Sequence, residues 1–97
     1  MPDSFDRTPK EIIQLAEQLT DLQKEAVLIY EPIVKAIIAS RSTDVSHIEH
    51  TLDGLLGFAG SEEGLRLFKT LCRHYWQIDP AETVSYIHGY RDMWDTE

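Results

Sequence analysis

Helix starts are written into this chain more plainly than any other feature. Thr8-Pro9-Lys10-Glu11 and Asp79-Pro80-Ala81-Glu82 share one pattern: a capping side chain, proline next, and glutamate three residues after the cap. The cap accepts from an unpaired amide of the first turn, proline has no amide to waste there, and the glutamate reaches back to the cap's own amide. Each start is followed by apolar residues at helical spacing, so the chain is built from helices and little else.

After the first start, Ile12, Leu15, Ala16 and Leu19 form one apolar stripe. Thr20 and Asp21, with Gln23 beyond, offer a second start, and Leu22, Ala26, Ile29, Ile33 and Ile37 follow it. Pro32 falls inside that second stripe. A proline removes one helical hydrogen bond and crowds the turn before it, so a kink is expected near Tyr30 and Glu31. The stripe stays in phase across Pro32 and also from Leu19 to Leu22, which makes one long bent helix from Pro9 to Ser40 the alternative. Residues 40–44, Ser-Arg-Ser-Thr-Asp, read as a polar turn.

The third helix runs from about Val45 to Phe58, with Ile48, Leu52, Leu55, Leu56 and Ala59 on its apolar side, and Gly60 ends it. Ser61 caps the fourth, where Glu62 and Glu63 suit the positive end of the helix. Leu65, Phe68, Leu71, Cys72 and Tyr75 give its stripe, and Val84, Ile87, Tyr90 and Trp94 give that of the fifth. No segment alternates with period two for long enough to be a strand. The expected fold is all-α: a compact bundle of about five short antiparallel helices, the second kinked at Pro32. Residues 1–97 form a single helical domain, with frayed ends at 1–7 and 95–97.

Composition narrows the class further. With 97 residues there is room for one core, and 42% hydrophobic residues suffice to fill it. Seventeen acids against nine Lys and Arg leave a net charge of −8. That disfavours nucleic acid and anionic membrane as partners, and suits either plain solubility or a basic protein surface. Cys72 is the only cysteine, so no internal disulfide is possible. The first residues lack the basic and apolar regions of a signal peptide, and no apolar run approaches a membrane span, so a cytoplasmic protein is expected.

The sharpest chemical hint is Ser46-His47-Ile48-Glu49-His50. His47 and His50 are spaced to chelate a metal, but zinc needs three or four protein ligands. His74, His88, Glu49 and Asp53 are the available others, and none completes a familiar spacing. Solvated or structural histidines are therefore expected, with metal binding through His47 and His50 as a weak alternative and no cofactor. Gly54 and Gly57 weaken the third helix, which suggests that another element, or a ligand, lies close to them. Arg66, Lys69 and Arg73 share one side of the fourth helix and could grip phosphates, though a solvated face is the commoner meaning of such a row.

The aromatic residues of the last helix are more informative. Tyr86, Tyr90 and Trp94 step by four along one side, with Arg91 and Met93 beside them. With Val84 and Ile87 added, the apolar sector is wider than one core contact buries. Tyr, Trp, Met and Arg are also the residue types that carry interface energy. Tyr86, Tyr90, Arg91, Met93 and Trp94 are the candidate partner-binding residues. No catalytic motif is visible. The expectation is a small non-catalytic interaction module, an adaptor, regulator or accessory subunit, with an unknown protein partner or a second copy of itself. The alternative is an acidic inhibitor, antitoxin or DNA mimic that binds a basic enzyme surface.

Overall fold

The computed structural model describes residues 9–95. Among them are four helices and no strand: α1 (Pro9–Ser40), α2 (Val45–Leu56), α3 (Glu62–Trp76) and α4 (Pro80–Trp94). Thr8, expected as the first cap, and the expected frayed residues 1–7, 96 and 97 lie outside the described residues. No helix of the described residues is long and apolar enough to cross a membrane.

Four helices replace the expected five because the start at Thr20 is not used. The Thr20 hydroxyl donates to the Ala16 carbonyl at 3.0 Å, one turn back within the same helix, instead of capping a new one. Ending a helix there would leave about four carbonyls and four amides to be satisfied elsewhere. The kinked second helix expected at Pro32 is likewise not an element of the fold, because Pro32 lies inside α1. The long helix from Pro9 to Ser40 is the form adopted. It ends at Arg41, whose φ of 53° is left-handed, and the Ser42 amide donates back to the Ile37 carbonyl at 3.1 Å.

The later helices start on their caps. Asp44 accepts from the His47 amide at 3.2 Å, Ser61 from Gly64 at 3.1 Å, and Asp79 from Glu82 at 3.1 Å. The second of these helices begins after a turn in which Gly57 caps the end of α2, three residues before the expected Gly60.

α2 and α3 form a central pair. Each touches every other helix, whereas α1 and α4 lie on opposite flanks and do not meet. The core lies between them. Ile48, Leu52 and Leu55 of α2 meet Leu67, Phe68, Leu71 and Tyr75 of α3, and Val27, Val34 and Ile37 of α1 close one side. Tyr75 is fully buried, and its hydroxyl donates to the Glu49 carboxylate across the α2–α3 contact. The expected close approach at Gly54 is real. A Cβ there would overlap the ring of Tyr30, so the missing side chain is what lets α1 lie on α2. Arg66 also ties α3 to α1, through Glu31 at 3.1 Å.

The amino-terminal half of α1 does not join the bundle. Ile12, Leu15, Ala16 and Leu19 of the first expected stripe, and Leu22 at the start of the second, are all exposed. Burial begins at Ala26 and Val27, where the helix meets the body. The molecule is accordingly 53 Å long but only 28 and 20 Å across.

Candidate functional site: a cationic-rimmed apolar groove between α3 and α4

The groove follows from two matching helical faces joined by a tight turn. On α3, positions 65, 68, 69, 72, 73 and 76 recur at three- and four-residue steps; on α4, positions 83, 87, 90 and 91 do the same. The turn between them is held by the Ile78 and Asp79 amides, both donating to the Tyr75 carbonyl at 2.9 and 2.8 Å. Thr83, almost fully buried, fixes the start of α4 by donating from its hydroxyl to the Asp79 carbonyl at 2.8 Å. The two faces are thereby set opposite each other over a cavity of about 390 Å³. That is the size of a small-ligand site or of a few partner side chains.

Phe68 and Cys72 contribute from α3, Ile87 and Tyr90 from α4. Phe68 and Tyr90 stack with ring centroids 5.9 Å apart and planes 29° from parallel. Trp76, half-exposed, also lines the groove. Around these apolar groups stand Lys69, Arg73 and Arg91, and the lining contains no acid. None of the three cations is ion-paired among the described residues. In a chain of net charge −8, this places positive potential beside an uncovered apolar surface.

The groove can bind but offers little for covalent chemistry. Burial pushes the Cys72 thiol up to about 11, so it stays protonated at neutral pH and is a poor nucleophile. Its buried position agrees with the small-hydrophobe role expected from the sequence.

The candidate partner-binding residues are dispersed by the fold. Tyr90 and Arg91 line the groove. Tyr86 turns towards α2: its hydroxyl donates to the Glu49 carbonyl at 3.3 Å, and its ring meets Tyr75 edge-on at 6.5 Å. Burial, then the nearby Asp53 carboxylate, raises the Tyr86 pKa above its ordinary 10. Trp94 donates from its indole nitrogen to the Leu56 carbonyl at 2.8 Å and lies over Gly60, where a Cβ would come within 2.6 Å of the ring. Met93 is exposed, outside the groove. The wide apolar sector of α4 is divided: Tyr86 and Tyr90 pack against the core, while Val84, Ile87, Met93 and Trp94 stay exposed.

The basic row of α3 is divided too. Lys69 and Arg73 turn to the groove, while Arg66 is drawn to Glu31 on the other flank. The sequence did not suggest that Lys69 and Arg73 share a groove with Arg91. The signal was the same three- and four-residue step on either side of the Gln77–Asp79 turn.

His47 and His50 are exposed on α2. Among the described residues no group of three or more His, Cys, Asp and Glu side chains converges to hold a metal ion. Two of the possible further ligands are engaged elsewhere: Glu49 by the Tyr75 hydroxyl, and His74 through its Nε2 with the Ser42 carbonyl at 2.7 Å.

Compared with protein-family models, with curated proteins and with solved structures, the chain matches none.

Proposed function

We propose that the protein is a non-catalytic helical interaction module, an adaptor, regulator or accessory subunit, which captures a partner protein in the α3–α4 groove. The observation that carries this reading is the exposed apolar surface of Trp76 and Ile87 beside half-buried Tyr90, over a floor of buried Phe68 and next to three unpaired cations, Lys69, Arg73 and Arg91. Apolar side chains of the partner would fill the groove, and carboxylates flanking them would meet the rim. Aromatic floors with arginine edges are where interfaces concentrate their energy. The module needs no cofactor and works in the cytoplasm. Nucleic acid is disfavoured, since the net charge of −8 opposes a polyphosphate chain everywhere but at this rim.

A photo-crosslinking residue at Ile87 tests the reading in the native host. Crosslinking to a defined protein is expected at Ile87 and not at exposed Ser85 on the same helix. It should be lost when Arg73 and Arg91 are both changed to Glu. Equal labelling from both positions, or labelling that survives charge reversal, refutes the groove as the capture site.

The net charge of −8 also supports a second reading, an acidic inhibitor that docks on a basic enzyme surface. Salt separates the two. Capture in an apolar groove persists at about 0.5 M salt, whereas charge-steered docking fades as the screening length falls below about 5 Å.

A further inference from the structure

The exposed half of α1 carries a second and independent surface. Ile12, Leu15, Leu19, Leu22, Ala26, Ile29 and Ile33 follow one another at alternating steps of three and four, the heptad spacing of a helix that packs along another helix. Within the protein this lane is covered only at Ala26 and in part at Ile33, where α1 meets the body, and Ile29 between them stays 62% exposed. Before Ala26 it is bare: Ile12 is 54% exposed, Leu19 62% and Leu22 57%. A row of bare leucine and isoleucine on a helix that runs free for four turns is not satisfied by water.

We propose that this arm pairs with the same arm of a second copy, the two helices running antiparallel. Three observations select this occupant. First, the bare residues are self-complementary. Turned end for end about a twofold axis at the level of Glu17, Ile12 meets the partner's Leu22 and Leu15 meets the partner's Leu19. All four positions then find apolar partners with no change of register. Second, the body excludes the parallel arrangement. The body covers α1 at Ala26, Val27, Val34 and Ile37, of which Ala26 belongs to the lane itself, so parallel arms would set two bodies side by side at the same end. Antiparallel arms put the bodies at opposite ends. Third, the size is sufficient. Two arms of about 17 residues, each about 25 Å long, bury on the order of 1,000 Å² together, the size of a weak and reversible interface. Association is therefore expected near the micromolar range and, between two chains of charge −8, tightens as salt rises.

Light scattering or sedimentation equilibrium on the full chain, from about 1 to 500 µM, reads the association directly. The expected result is a mass that rises from 11.2 kDa towards twice that value. Leu15→Glu with Leu19→Glu places carboxylates opposite one another in the paired arms and should raise the Kd at least about 100-fold. Both residues are exposed in the single chain, so helix content and melting of the dilute protein should hold. Mild oxidation fixes the direction: Ile12→Cys mixed with Leu22→Cys should cross-link, and neither alone should, while buried Cys72 stays out of the exchange. A monomer mass throughout the range overturns the proposal and reassigns the arm to a different protein. So does a dimer indifferent to the two glutamates, and so does ready cross-linking of Ile12→Cys with itself. The outcome does not depend on the groove, whose charge-reversed variant should dimerise as the parent does.

Discussion

Replacing Tyr75 by phenylalanine removes one oxygen and leaves the ring in place, so it opens no large cavity and isolates one hydrogen bond. The side chain is fully buried between α2 and α3, and its hydroxyl donates to the Glu49 carboxylate. A hydrogen bond to a charged acceptor contributes about 1.5–3 kcal/mol. Glu49 is half-buried, so water recovers part of the loss at the carboxylate, and a destabilisation of about 2 kcal/mol follows. For a domain of this size each kcal/mol moves the melting point by about 4–8 °C, so a fall of about 10 °C is expected. Thermal melts followed by far-ultraviolet circular dichroism measure it, and urea melts should show an unchanged m-value if the folded state stays as compact. Tyr86→Phe is the internal comparison. That hydroxyl donates at 3.3 Å to a neutral carbonyl, also of Glu49, and its loss should cost about 1 kcal/mol or less. A Tyr75→Phe protein melting within about 2 °C of the parent, or a Tyr86→Phe protein melting lower still, would show that the reasoning about the charged acceptor is wrong.

Other consequences can be measured with the same melts. Gly54→Ala gains about 1 kcal/mol of helix propensity but drives a methyl into the Tyr30 ring, at about 1–3 kcal/mol, so net destabilisation is expected. In a Tyr30→Ala background the same change should become stabilising, and a stabilising effect in the parent would contradict the packing described. Burial first, and neighbouring carboxylates next, raise the pKa values of Tyr75 and Tyr86 above their ordinary 10. Folding thus favours the protonated phenols: their contribution is whole below pH 10 and is lost as pH climbs beyond it. Urea midpoints from pH 9 to about 11 should fall less steeply for the Tyr75→Phe, Tyr86→Phe double variant than for the parent.

Local grammar in the sequence was enough for most helix starts. Ser61 and Asp79 cap where their side chains and spacing say they should, because a cap bonds within three residues of itself. The same grammar misled at Thr20. A threonine before an aspartate can cap, but it can also bond back to the preceding turn, and the continuous helix keeps its backbone bonds as well. Long-range partners were beyond reach. Tyr86 and Trp94 read as a free aromatic face, yet their polar ends bond to α2 carbonyls 37 and 38 positions earlier in the chain. Arg66 reads as one of three alike until Glu31, 35 positions away, separates it from Lys69 and Arg73. Periodicity made Ile12 to Leu22 an apolar stripe, but periodicity carries no information about what covers a stripe. That depends on where the rest of the chain lies, and here it lies beyond Ala26.

The projecting arm also changes how the molecule moves through a solvent or a matrix. A compact chain of this length has a radius of gyration of about 13 Å, whereas here it is 16.3 Å. Such a shape meets more drag than its mass implies, so a single copy leaves a sizing column early and can pass for two. Rotational diffusion is anisotropic as well. Amides along the arm, lying parallel to the long axis, should relax differently from those of helices set across it, and nuclear spin relaxation can follow the arm's length in solution residue by residue.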